Sequence, residues 1–446
     1  MSIKVPFIEA EIQDQYLHDE NSDRPWILGF SGGKDSTMLL QLVWKALLKI
    51  PRELRRREIW VVCNDTLVEN PHIVNFINRT LDTIKVAAVE QDLPILVQKT
   101  TPRLEDTFWV NLIGRGYPAP NNVFRWCTER LKIDPTTRFI KSKIAEDGEV
   151  IILLGTRSAE SGNRARSIKR HEVKGQRLRK HLLPNAYVFA PIKDVDTNEL
   201  WQYLMQVSPP WGGTHKELMT LYRNANSGDC PLVIDETTPS CGNSRFGCWV
   251  CTVVKRDKSM EGLIGNGEDW MEPLVALRDY FVETRDNPEQ YREKRRRDGT
   301  EKEGVWGPYK PWVRAEFLRQ LLEAQRDIQA EQGESMQLIS HQELVAIQVT
   351  WYRDSIFNAK VADIYNSVYN VQLDMQKHEE KFRQEEELLR EVCADQPQDF
   401  DLIQQSLKVL KTKTLMVKKR GLQNEIENLL DRHIRTEKEA ALSHAA

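Results

Sequence analysis

Short apolar runs alternate with helix-period stretches along the first half of the chain. The runs are Trp26–Phe30, Glu58–Cys63, Ile95–Lys99, Val150–Leu154 and Tyr187–Phe189. Each has the length of a strand. Helical patterns follow Lys34, Pro71 (from His72 to Gln91) and Asp196. This alternation predicts an α/β fold, a parallel doubly wound sheet with helices on both faces. It stops near residue 215. Residues 216–265 hold four of the seven cysteines among Gly, Asn, Pro and Ser, with little periodicity. That stretch reads as a loop-rich insert that needs more than an apolar core to order it. From residue 266 onward the pattern is mainly helical. Asp395 to Asp399 read as a linker, and Leu407, Leu410, Leu415, Leu422, Ile426, Leu429 and Leu430 recur at helical spacing in the tail. The expected organisation is a nucleotide-handling domain over 1–215, a Cys-rich segment over 216–265 and a helical region over 266–446, for partner docking or DNA contact.

The chemistry begins where the first strand ends. Ser31-Gly32-Gly33-Lys34-Asp35-Ser36-Thr37 stands between the run Trp26–Phe30 and a helical pattern. Glycines let backbone approach a ligand closely, and a new helix points free N–H groups and a positive dipole end at it. Lys34 adds a cation; Ser31, Ser36 and Thr37 add hydroxyls. The set suits a pyrophosphate. It is not the Walker pattern, because Asp35 follows Lys34 and Leu28 stands where the first Gly belongs. Other polar strand ends line the same crevice in a doubly wound sheet. Asn64 and Asp65 end the second run, suited to adenosine, a metal ion or a simple turn. Gly155 and Arg157 follow the fourth, where Arg157 reads as a phosphate clamp or a surface ion pair.

Composition narrows the class. The chain has 446 residues with 29% charged, 40% hydrophobic and a net charge of −3. No apolar run reaches the ~18 residues of a membrane span, so a cytoplasmic protein without a membrane partner is expected. Seven cysteines in such a chain favour metal or catalysis over disulfides. Cys241, Cys248 and Cys251 form Cys-x6-Cys-x2-Cys, with Cys230 ahead of them, and the close pair has metal-binding spacing. Spacing alone leaves zinc and iron–sulfur open. Cys127 lies among Arg125, Arg130 and Lys132, which favour a thiolate. Arg164 to His181 is strongly basic and reads as a mobile loop for a phosphate backbone. Arg292 and Lys294 to Arg297 form a second basic patch, suited to the same polymer or to a solvated helix end.

The stretches Pro25–Thr37, Phe124–Ile133, Gly155–Glu160, Pro191-Ile192-Lys193-Asp194 with Trp201, Cys230-Pro231-Leu232 and Cys241–Met260 resemble one known group. It is the phosphoadenosine-phosphosulfate reductase-like branch of the PP-loop ATP pyrophosphatases. Within that branch, Cys-Gly-Asn-Ser-Arg-Phe-Gly-Cys-Trp-Val-Cys is similar to the DndC/SspD-type sulfurtransferases of DNA phosphorothioation. The resemblance covers residues 10 to 320 and, more loosely, the tail. It implies ATP cleavage to AMP and pyrophosphate, Mg2+, a [4Fe–4S] cluster, a DNA substrate, a cysteine desulfurase as sulfur donor and other Dnd or Ssp proteins as partners. It implies Cys241, Cys248 and Cys251 as cluster ligands, with Cys127 as fourth ligand or sulfur-handling thiol and Cys230 as its alternative. Lys34, Asp35, Cys127 and Arg157 are the expected catalytic residues, Asp35 as a magnesium ligand. No cysteine follows Cys393, which argues against a simple sulfonucleotide reductase with a tail nucleophile. The competing readings are another PP-loop enzyme, such as a tRNA thiolase or a sulfate-adenylating subunit, and a non-catalytic ATP-gated DNA-binding scaffold with structural zinc.

Overall fold

A computed structural model describes residues 4–19, 24–160, 162–173, 175–225, 247–254, 256–297, 300–354, 356, 359–373, 384, 387–394, 397–415, 426–431 and 433–434. Cys230 and Cys241 lie outside the described residues, as does most of the tail beyond 415. Contacts divide the chain into two units. One comprises residues 1–103 and 120–278, the other residues 104–119 and 279–446. The second unit therefore takes in a short segment from inside the first half, at a place where no shift of pattern announces it.

The first unit is built on a six-stranded sheet in the order β3-β2-β1-β4-β6-β5. The strands are β1 Trp26–Gly29, β2 Ile59–Asn64, β3 Ile95–Thr100, β4 Val150–Leu153, β5 Arg179–Lys180 and β6 Ala186–Phe189. All neighbours run parallel except β5, which pairs antiparallel with β6 through Arg179↔Val188 and Lys180↔Tyr187. The central strand is apolar at every position because both its faces are covered. Trp26 and Leu28 enter one core with residues of α1 (Lys4–Leu17), α2 (Lys34–Leu48) and α3 (Pro71–Glu90). Ile27 enters the other core, with Ile140 and the flanking Phe139. Successive strand side chains point to opposite faces, so this split is what a doubly wound sheet requires. The stripe Ile73, Ile77, Leu81, Ile84 and Ala88 sets α3 against the first core. Asn70 caps that helix by accepting the His72 N–H at 3.0 Å, with Pro71 in the first turn.

The turn α4 (Trp126–Thr128), a π turn (Glu129–Ile133) and α5 (Asp134–Asp147) follow one another without a break. Next come α6 (Gly162–His171), α7 (Thr197–Gln206), α8 (Lys216–Ala225) and α9 (Lys258–Ile264). The stretch expected as a mobile basic loop thus forms a helix over Gly162–His171. It carries no apolar stripe, which is why periodicity missed it. Helix α10 (Glu272–Asp286) carries the chain from the first unit into the second.

The second unit is helical: α11 (Pro288–Tyr291), α12 (Pro311–Gln332), α13 (His341–Arg353), α14 (Val361–Tyr369) and α15 (Pro397–Leu415). Residues 397–399 of the expected linker are the first turn of α15, where proline is well tolerated because no helical N–H is lost. A π turn, Val110–Gly114, is held from two sides. Arg314 Nε and Trp351 Nε1 both donate to the Ile113 carbonyl, at 2.8 and 2.9 Å. The second basic patch is used internally. Arg292 donates to the carbonyls of Gly307 and Trp306, Arg295 pairs with Glu301, and Arg297 reaches Asp354 at 3.3 Å. Lys294 to Arg297 remain exposed, Arg295 with its side chain 78% exposed, so the patch also faces solvent. Among the described residues no helix is long and apolar enough to cross a membrane.

Candidate active site

Strand β1 hands over to α2 through Ser31–Gly33. Gly32 sits at φ +70°, and a Cβ there would stand 2.6 Å from Ile77 Cγ1, so the turn tolerates only glycine. Ser36 holds the turn closed. Its hydroxyl donates to the Gly33 carbonyl at 3.0 Å, accepts the Ser31 N–H at 3.2 Å and meets the Ser31 hydroxyl at 3.2 Å. The hydroxyl expected to contact phosphate is thus occupied in shaping the loop. Gly33 offers no side chain to cap α2, so the first N–H groups of the helix keep their donor capacity. One of them, the Lys34 N–H, donates to the Tyr222 hydroxyl at 3.2 Å, and the Lys34 ammonium lies 4.8 Å from the centre of that ring. Tyr222 comes from α8, 188 residues away in sequence, and nothing local to the glycine loop signals it.

Strand β4 lies beside β1 and presents the second turn. Strand β1 connects onward to β2 on one side and lies against β4 on the other, so this is the switch point where open α/β sheets bind ligands. A Cβ on Gly155 would stand 3.0 Å from the Asp35 carbonyl oxygen and 3.2 Å from the Ser36 nitrogen. Backbone cannot yield as a side chain does, so glycine is required for the two turns to touch. Arg157, expected as a phosphate clamp, is 1% exposed. Its Nε lies 2.5 Å from Asp35 Oδ1, and its Nη1 donates to the Val195 carbonyl at 3.0 Å. The other Asp35 oxygen is 3.3 Å from the Lys34 ammonium. Asp35 therefore links Lys34 to Arg157, with each oxygen facing a cation. Arg157 acts as a tie between the two turns.

At the end of β2, the strand next to β1, the expected adenosine or metal residues serve the local structure. Asn64 donates to the Leu131 carbonyl at 2.7 Å and accepts from Thr100, while Asp65 accepts the Leu67 N–H and pairs with Lys99 at 3.2 Å. Leu67 takes φ 64°, a strained conformation for a branched side chain. Just beyond it, Glu69 bridges antiparallel to Cys248, and the Trp249 N–H donates to the Val68 carbonyl at 3.1 Å. Trp249 and Val250 are buried, and Arg278 Nε holds the Cys251 carbonyl at 3.1 Å. This part of the Cys-rich segment is ordered by its own packing, which corrects the expectation of a coreless loop.

Cys127, at the start of the helical stretch 126–147, shares this corner with Cys248 and Cys251. The Cys251 N–H donates to the Cys248 carbonyl at 3.0 Å, and Thr66 Oγ1 lies 3.3 Å from the Cys248 sulfur. Desolvation pushes the Cys248 thiol up to about 11 and also raises Cys127, with Cys251 adding to both. Lys132 opposes them. Its own pKa is raised, most of all by Cys248, then by Glu69, Cys127 and Cys251. Glu69 is pushed up to about 7 by burial, with Asp65 adding. Three thiols thus act on one ammonium, the charge partner that a thiolate-bound group needs. Among the described residues alone, no three Cys, His, Asp or Glu side chains close into a metal-holding group. Glu69 belongs to this corner although no signal along the chain assigned it a role. Lys132 is the one of the three expected cations that acts on Cys127 here, while burial still leaves that thiol raised.

Residues 25–254, just over half of the chain, match the phosphoadenosine phosphosulfate reductase domain. The chain belongs to this family. Its PP-loop is the Ser31–Thr37 turn, and the matched range spans all six strands and the Cys248–Cys251 turn. An uncharacterized protein of Methanocaldococcus jannaschii is 29% identical over 237 residues, 53% of this chain; the chain spans only 38% of that relative's length. Solved structures with a similar course include phosphoadenylyl-sulfate reductase from Candida auris in a phosphate complex, at 11% identity and TM-score 0.29. That similarity covers 46% of this chain and 87% of the reductase. The U34-tRNA thiolase NcsA from Methanococcus maripaludis with its [4Fe-4S] cluster is 12% identical at TM-score 0.30, over 70% of this chain and 87% of the thiolase.

Proposed function

We propose that this member of the phosphoadenosine phosphosulfate reductase family is the sulfurtransferase of DNA phosphorothioation, using ATP to replace a non-bridging backbone oxygen by sulfur. One arrangement carries the reading. The PP-loop at the β1/β4 switch point and the cysteine corner at the end of β2 stand on the same edge of one parallel sheet. An activating site and a sulfur-handling site on adjacent strand ends suit a reaction that activates and then sulfurates one acceptor.

The chemistry is two displacements. A phosphate oxygen of DNA attacks the α-phosphorus of ATP; that P–O bond forms, the bond to the β-phosphate breaks, and pyrophosphate leaves. Sulfide then attacks the DNA phosphorus; a P–S bond forms, and the oxygen departs on AMP. Without the first step the leaving group would be oxide, which leaves poorly. Positioning and charge neutralisation do most of the catalysis in such transfers. Lys34 and the free N–H groups of α2 neutralise the β and γ phosphates. Asp35 and Arg157 hold the two turns in register around them. Mg2+ would neutralise the triphosphate further. Cys127, Cys248 and Cys251, with Cys241, would hold an iron–sulfur cluster that supplies sulfide binding, Cys230 being the alternative for the fourth place. Arg166, Lys169 and Arg170 of α6 supply cations for DNA, and a cysteine desulfurase and other Dnd or Ssp proteins are the expected partners.

The test uses anaerobically purified protein with ATP, sulfide and single- or double-stranded DNA. AMP formation that depends on DNA, with phosphorothioate dinucleotides after nuclease digestion, is the expected result. AMP formation that ignores DNA and responds to tRNA overturns the proposal.

A further inference from the structure

A cavity of about 150 Å3, lined by Thr156 and by Val188 to Pro191, opens beyond the ends of β4 and β6. Gly155 faces the start of α2, Arg157 ties to Asp35, and Thr156 between them lines the cavity. The volume is below the ~300–1,000 Å3 of pockets that enclose a whole small ligand, so it fits one chemical group.

Its charges are unevenly matched. Arg177 is engaged by Glu11 and Asp14, at 3.5 and 2.8 Å. Lys193 pairs with Glu172, about half exposed, so that pair is open to exchange, and Asp194 and Glu11, which also line the cavity, act on Lys193 as well. Arg179 is different. It stands half-buried on β5, opposite Val188, which also lines the cavity. Burial alone pulls its pKa down, and no acid among the described residues offsets this. Burial lowers its neighbour His181, and Arg179 adds to that shift. Arg179 also has no hydrogen-bond partner among the described residues, and neither has the Thr156 hydroxyl. A desolvated guanidinium facing a group-sized cavity, beside an unused hydroxyl and an exchangeable ammonium, is the donor set for a phosphate oxygen pair.

We propose that this cavity is a subsite for a backbone phosphate of the DNA acceptor, separate from the phosphates of ATP, with Arg179 as its principal ligand, Thr156 as hydroxyl donor and Lys193 as second cation. The assignment rests on the DNA-modifying reading for the identity of the acceptor. The Thr156 turn places the subsite one residue from the contacts that organise the PP-loop, so a neighbouring phosphate held here would set the register of the phosphate that reacts.

The experiment measures binding of a labelled single-stranded oligodeoxynucleotide by fluorescence anisotropy at several salt concentrations, with the full-length protein and without ATP. Arg179→Gln should weaken binding about tenfold and make the salt dependence shallower by about 0.7 in the logarithmic slope. Arg179→Lys should recover part of the affinity, and ATP affinity by calorimetry should stay within about twofold in both. Thermal stability should not fall, because among the described residues the Arg179 side chain has no hydrogen bond or ion pair to lose and glutamine retains much of its aliphatic stem. Unchanged oligonucleotide affinity in Arg179→Gln overturns the proposal. So does a parallel loss of ATP affinity, which would place nucleotide phosphates in the cavity, or a lower melting temperature, which would make Arg179 structural. Arg179-dependent binding of inorganic phosphate without any oligonucleotide binding would assign the cavity to a free anion and overturn the acceptor role. If Arg179-dependent DNA binding appears but phosphorothioate never forms, the subsite stands and the sulfur-transfer reading falls.

Discussion

Replacing Asp35 by Asn tests whether the two turns at the switch point work as one device. Asp35 is the acidic partner of Arg157, whose side chain is 1% exposed. An asparagine keeps the shape and removes the charge. The guanidinium then keeps only the Val195 carbonyl at 3.0 Å and the Thr197 hydroxyl at 3.5 Å. Removing one partner of a sealed ion pair costs about 3–5 kcal/mol because a charge is left buried without compensation. The Asp35 side chain is 20% exposed, so solvent relieves part of the penalty and about 3 kcal/mol is expected. For a unit of this size that lowers the melting temperature by about 6–12 °C.

Calorimetry reads the loss, and a double-mutant cycle with Arg157→Met isolates the coupling. The double variant should be less destabilised than the sum of the singles by about 1–3 kcal/mol. DNA-dependent AMP formation should drop in Asp35→Asn even at temperatures where the variant is folded, because Lys34 loses its neighbour as well. Strict additivity of the two single variants, or an Asp35→Asn melting point within about 2 °C of the parent, would refute the linkage.

Three further outcomes follow from the same geometry. Lys34→Ala should cut pyrophosphate release about 100-fold or more by removing the cation at the loop, and undiminished release would remove the PP-loop from the mechanism. Gly155→Val should cost about 1–3 kcal/mol and depress AMP formation, since its Cβ meets Asp35 backbone at 3.0 Å; Gly162→Ala, with nothing within 4 Å, is the control that should leave both unchanged in melting and turnover assays. His215 is lowered from 6.5 to about 4 by burial, with its ring 2.8 Å from Gln41 Oε1. The unfolded chain takes up this proton near pH 6.5 and the folded chain only near 4, so up to about 3 kcal/mol of stability present above pH 6.5 is lost as pH falls toward 4. Urea midpoints from pH 7 to 4.5 should drop less steeply in His215→Asn, and an equal slope would show that another group dominates.

The part of this fold that is legible along the chain is the part whose information is local. The strands β1, β2, β4 and β6 announce themselves because a strand covered on both faces is apolar over most of its length, and the edge strand β3 does so by the apolar start Ile95–Val97 alone. The two-residue β5 is Arg-Lys on a sheet edge and carries no such pattern, yet it places Arg179. Helix α1 shows Val5, Ile8, Ile12 and Tyr16 at helical spacing, a local signal as readable as that of the strands. Helix α6 offers little to read, with only Ala165 and Ile168 as apolar positions. The PP-loop is legible because glycine and hydroxyl requirements are set by neighbouring residues. Its electrostatics are not, because Asp35 meets Arg157 across 122 residues and Lys34 meets Tyr222 across 188. A Gly-Thr-Arg turn after a strand looks the same whether the Arg reaches out to a phosphate or inward to a carboxylate; only the packing of β4 against the start of α2 decides. The cysteine corner shows the same division. The spacing of Cys248 and Cys251 is a local metal signal, whereas the arrival of Cys127 and Lys132 beside them depends on Asn64 fastening the end of β2 to the Leu131 carbonyl. Asn64, weighed as a ligand for adenosine or metal, thus contributes by building the corner in which the thiols stand.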